Sequence, residues 1–125
     1  MSIVTTAAVI GIDHVQIAVP TGAEKLCRDF YLALLGFSEI ERPKKGEGRS
    51  FLWVRAGAQQ VHFREDAEFR PARLAHPGFL VGDADALAAK LVQAGVEVNR
   101  ADAVGPGRFH IRDPFGNRIE FIEAA

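Results

Sequence analysis

The residues from Phe51 to Phe63 lie over those from Phe109 to Phe121 without a gap, so that Phe51 falls on Phe109, Val61 on Ile119, Phe63 on Phe121 and His62 on Glu120. Nearly the same shift aligns the openings of the two halves, Asp13-His14-Val15-Gln16-Ile17-Ala18-Val19 and Ala75-His76-Pro77-Gly78-Phe79-Leu80-Val81, and sets His14 on His76. Each opening leads into an apolar pattern of helical period that ends at a glycine, Gly36 in one half and Gly95 in the other. A chain that repeats itself in this way uses one supersecondary unit twice. The unit is strand, helix, then three strands, and the fold class is α+β.

Strand parity then sorts the side chains. Val15, Ile17 and Val19 share one face of the first strand, and His14, Gln16 and Ala18 the other. Val61 and Phe63 oppose Gln60, His62 and Arg64, and Ile119 and Phe121 oppose Glu120. The helices should cover the apolar faces. Thr21-Gly22-Ala23-Glu24 has the spacing of a capping box, and Ala23, Leu26, Cys27, Phe30 and Leu34 form the stripe of the helix that follows. In the second half Asp83 is placed to cap a helix carrying Leu87, Leu91 and Val92. Strands are expected from Phe37 to about Arg42 and from Val96 to about Asn99, with the modules spanning about 10–66 and 74–125 of a single domain, 1–125.

Asp113-Pro114-Phe115-Gly116-Asn117 is turn chemistry, because Pro fixes φ, Gly and Asn accept positive φ, and Asp can cap its own turn. If that turn pairs Arg112 with Arg118, His110 stands across from Glu120 on the polar face. Pro43 to Arg49 is polar and bears glycine, and reads as a loop placed to act as a lid. Met1 to Val9 reads as a loose lead-in, and Glu65 to Leu74 as a linker near Arg64, Arg70 and Arg73, cations suited to an anionic substrate group.

Composition closes several routes. A net charge of -1 with no basic stripe argues against nucleic acid. The single cysteine, Cys27, excludes an intrachain disulfide and a cysteine-based zinc cluster, and its position on an apolar helical face predicts a buried, inert thiol. Asp13 interrupts the first apolar run well short of a membrane span, so no membrane partner is expected and the default compartment is cytoplasmic.

What remains is a polar face carrying His14, His62, His76 and Glu120 at matched positions of the two halves. Neutral imidazole and carboxylate are borderline to hard donors, suited to Zn, Ni, Mn, Co or Fe. His110, Gln16, Trp53 and Arg64 are the candidates to contact a substrate, and Glu120 and His62 those to move a proton.

The repeated unit, the opening Asp13 to Val19, the helix end Leu35-Gly36-Phe37 and the run Asp113 to Glu120 together resemble the vicinal oxygen chelate superfamily, which holds glyoxalases, bleomycin resistance proteins and extradiol dioxygenases. The resemblance implies two βαβββ modules whose mixed sheets curl into open, barrel-like cups with helices outside. It implies His14, His76 and Glu120 as metal ligands, with His62 at a fourth position where glyoxalase I usually carries Glu or Gln. It further implies a homodimer and a small-molecule substrate that chelates the metal through adjacent oxygens. On this basis the expected activity is of lyase or isomerase type. The alternatives are an Fe(II) dioxygenase of extradiol type, a thiol transferase, or a metal-free drug-binding protein.

Overall fold

Alternating burial along His14–Pro20 makes the first strand, β1: Ile17 and Val19 are buried, while on the other face Gln16 is exposed and Ala18 partly covered. The computed structural model describes residues 7–43, 49–101 and 103–125. Most of the expected lid over Pro43 to Arg49, and the start of the expected lead-in, lie outside the described residues.

β1 pairs in parallel with β4 (Gln59–Asp66), which runs antiparallel to β3 (Ser50–Ala56), itself bordered by the short β2 (Ser38–Ile40). The second sheet has β5 (Gly78–Val81) parallel to β7 (Arg118–Glu123), with β6 (Arg108–Arg112) antiparallel on the far side. The architecture is α+β, two open, curled mixed sheets with helices against their apolar faces. The repeat is reproduced in the register: Gln16 stands beside His62 in the first sheet as Gly78 stands beside Glu120 in the second.

The second half departs from the first at two places. Pro77 has no N–H to give to a ladder, and β5 begins only after it, so His76 precedes the strand. The strand expected over Val96 to Asn99 reduces to one bridge, Asn99 to His110. Asn99 Oδ1 accepts from the N–H of Ala101 at 2.8 Å, which turns the chain away directly after that bridge.

The first helix also differs from its sequence pattern. The α-helix α1 covers Glu24–Arg28, and the chain continues over Asp29–Leu34 in wider π-type turns, with Leu35 N–H donating to Phe30 O at 2.9 Å. Tyr31 is fully buried beside Cys27 and Phe30, whereas Leu26 is left 51% exposed. The expected capping box is absent: Ala23 is the N-cap and no side chain caps the helix. Gly22, at φ 83°, bends the entry instead and gives its N–H to Glu65 Oε2. In α2 (Ala84–Gln93) Asp83 does accept from Ala86 N–H, and Ala84, Ala88 and Leu91 are buried, but Val92 faces out.

A single core joins the two sheets under the helices. Tyr31, Phe63, Leu52, Leu91, Phe109 and Ile119 are its largest members, and Phe37 meets Phe79 across the halves at 5.2 Å between ring centroids. The turn Asp113 to Asn117 fastens the same junction. Asp113 Oδ1 accepts from the N–H groups of Phe115 and Asn117, and Asn117 Nδ2 donates to Ala18 O of β1 at 2.9 Å.

Candidate metal centre

With the helices on one face, the opposite face of each sheet carries the polar residues. Arg112 pairs with Arg118 across the Asp113 turn, which puts His110 opposite Glu120, on the polar face. His76, arriving just ahead of β5, places Nε2 3.1 Å from Glu120 Oε1, and His110 Nε2 lies 3.8 Å from the same oxygen. His110 and Glu120 are buried and His76 is partly exposed. Among the described residues the only three-donor grouping that closes within 4.8 Å is His76, His110 and Glu120.

The hydrogen bonds around His76 fix its chemistry. Its Nδ1 sits 2.7 Å from Leu74 O, and a carbonyl oxygen only accepts, so Nδ1 carries the hydrogen. In the neutral ring Nε2 is then a lone pair facing a carboxylate oxygen at 3.1 Å. Two acceptors at that distance repel unless a proton or a metal cation lies between them. This is the arrangement of a metal-ligating histidine, oriented by a hydrogen bond from its other nitrogen.

Glu120 is held ready by its neighbours. Burial alone would raise its pKa, but the hydrogen bond that His76 gives when its ring is protonated and the one from Arg108, with the charges of Arg108 and His110, outweigh burial and hold the carboxyl below its usual range. Arg108 Nε donates to Oε2 at 3.0 Å, which leaves Oε1 toward the two histidines. The sequence reading missed Arg108. Its signal was the register itself, since Arg108 pairs with Ile122 and is therefore a diagonal neighbour of Glu120 on the same face.

The first sheet brings His14 and His62 together, apart from the grouping above. Their rings stack at 4.1 Å between centroids, and His62 stacks on Trp53 at 3.8 Å and 3°. His62 is thus sandwiched between two π faces. Its Nε2 lies 3.0 Å from Gln60 Oε1, so that nitrogen is already engaged. Burial, then the neighbouring His14, lowers its pKa, against the pull of Asp13. His14 repeats the pattern of His76: Nδ1 faces Asp13 Oδ1 at 2.8 Å, and Nε2 is left as the lone-pair nitrogen.

Of the other candidates, Gln16 stands beside His62 and accepts from Ser50 Oγ at 3.2 Å. Trp53 has a buried Nε1 with no hydrogen-bond partner among the described residues. Arg64 is half-buried two residues beyond His62, on the same strand face. Cys27 is fully buried, and burial with the charge of Asp113 pushes its thiol up to about 12.

Residues 11–121 match the family model of the Glyoxalase/Bleomycin resistance protein/Dioxygenase superfamily. A glyoxalase family protein from Bacillus anthracis is similar in structure, with a TM-score of 0.85 and 40% identity over 96% of this chain and 99% of that one. TnmS3, an antibiotic binding protein from Streptomyces sp. CB03234, has a TM-score of 0.70 at 22% identity, covering 96% of this chain and all 100% of its own. A lactoylglutathione lyase from Agrobacterium tumefaciens has a TM-score of 0.67 at 17% identity, over 91% of this chain and 93% of that one. No curated protein sequence matches the chain.

Proposed function

Because this chain belongs to the Glyoxalase/Bleomycin resistance protein/Dioxygenase superfamily, we propose that it is a divalent-metal-dependent enzyme of glyoxalase type, acting as a lyase or isomerase on a small substrate with adjacent oxygens. The observation that carries this reading is the pair His76 and Glu120, whose facing atoms need a proton or a metal cation between them, with His76 oriented from its other nitrogen. His76 and Glu120 are the anchoring ligands. His14, presenting Nε2, is the further ligand from the first half. When bound, the ion acts as a Lewis acid that stabilises negative charge on the chelating oxygens.

The chain's own residues supply the rest. Arg108 keeps Glu120 ionised and directs Oε1 to the site. His110, buried beside Glu120, orients that carboxylate and can hold a proton near it. His62, uncharged when buried between Trp53 and His14, is suited to take up a proton and is poorly suited to coordinate through its engaged Nε2. His14 and His62 do not join the second-half donors within 4.8 Å, and Leu80, on the site face of β5, is 73% exposed. Both features support a homodimer in which the first half of a second copy completes the cup.

The stack Trp53, His62 and His14 favours a second reading, a metal-free protein that holds a flat drug-like molecule on an aromatic surface. The test is exchange of a substrate C–H for solvent deuterium in a panel of small 2-oxo and 2-hydroxy compounds. Wash-in that requires a divalent ion supports the enzyme. Tight binding of aromatic compounds that a chelator leaves unchanged, with no exchange, supports the binder.

A further inference from the structure

A cavity of about 360 Å3 opens beside His76, between the free edge of β1 and the linker that joins the halves. Arg70, Arg118, Gln16 and Asn117 line it with His76, and no carboxylate does among the described residues. Gln16 Oε1 accepts from Ser50 Oγ, so its amide N–H groups remain as donors toward other partners. Arg70 makes no hydrogen bond or ion pair among the described residues.

The wall is built rather than loose. Arg112 donates to Ala72 O at 3.2 Å, to Arg73 O at 3.3 Å and to Gly116 O at 3.1 Å, tying the linker to the Asp113 turn. Pro71 packs so closely on Gly116 that a Cβ there would meet Pro71 Cγ at 3.2 Å. The stretch Glu65 to Leu74, without period in the sequence, is thus held against the site. Two guanidinium groups and the Gln16 amide N–H line a cavity to which no described carboxylate contributes, and together they favour an anion.

We propose that this cavity is a subsite for the acidic group of the ligand, a carboxylate or phosphate on a small molecule whose adjacent oxygens reach the donors around His76. The inference rests on the functional reading for what lies at His76 and adds the charge of the substrate's other end.

The test follows backbone amide NMR shifts at constant ionic strength, with and without chelator, using inorganic phosphate, acetate and the neutral acetamide. Phosphate or acetate should shift the amides of Gln16, Ala75 and Asn117 saturably, in chelated protein as well, and acetamide should not. Arg70→Ala, an exposed position, should weaken the anion by roughly tenfold or more, with the rest of the spectrum unchanged. Equal shifts with acetamide, or anion shifts unaffected by Arg70→Ala, would overturn the subsite. Anion shifts seen only in metal-loaded protein would also overturn it while leaving the metal reading intact. Anion binding retained in protein that takes up no metal would sustain the subsite and sink that reading.

Discussion

Tyr31 and Asp113 are joined across the two halves of the chain: the buried Tyr31 hydroxyl donates to Asp113 Oδ2 at 2.6 Å. The acceptor is the residue that organises the turn ahead of β7, so the bond ties the first helix to the strand that carries Glu120. Burial, with the charge of Asp113, pushes the Tyr31 phenol well above its usual range, and it stays a donor at any working pH. Tyr31→Phe should cost roughly 1.5 to 3 kcal/mol, the value of a hydrogen bond to a charged group. Asn117 Nδ2 still serves Oδ2, so the variant should fold. Denaturant unfolding measures the loss, and unchanged stability would show that the clasp contributes nothing.

Cys27 should behave as a core side chain. Its thiol is pushed up to about 12 from 9.0, so iodoacetamide at mildly alkaline pH should leave native protein unmodified and label unfolded protein at once. The sign of the linkage follows. Above about 9 the unfolded chain loses this proton while the folded chain keeps it, so the thiol's contribution is lost as pH rises toward 12. Rapid labelling of native protein would contradict the burial.

Trp53 is the only tryptophan, and it lies flat on His62, so its emission reports directly on that imidazole. A protonated ring at 3.8 Å should quench the indole. Because burial and His14 lower the His62 pKa, the quenching midpoint should fall below the ordinary 6.5, and His62→Leu should abolish it. A midpoint at or above 6.5 would mean that the stack is not formed in solution.

Much of this geometry was legible because strand parity is rigid. Once Asp113 to Asn117 is read as a turn, the Arg112 to Arg118 pairing places His110 beside Glu120; that Gln16 stands by His62 as Gly78 does by Glu120 emerges only from the strand order. Helical phase was less legible. The apolar stripe takes Leu26 for a core position, but the regular turn Glu24–Arg28 leaves it exposed while Cys27 and Tyr31, four residues apart on one face, are buried, and a 3.6-residue period cannot register the π-type turns that follow Arg28. Local pattern also could not foresee that Val96 to Asn99 would keep a single bridge, or that Arg108 would take Glu120 Oε2. That His14 and His62 gather apart from His76 and Glu120 is a matter of how sheets are set against each other, which parity does not encode.

Metal analysis of the purified protein and its variants tests the central claim most directly. Wild-type protein should retain close to a single divalent ion per chain, and His76→Ala or Glu120→Ala should lose it while remaining folded. Metal content that neither substitution changes would contradict a centre built on His76 and Glu120.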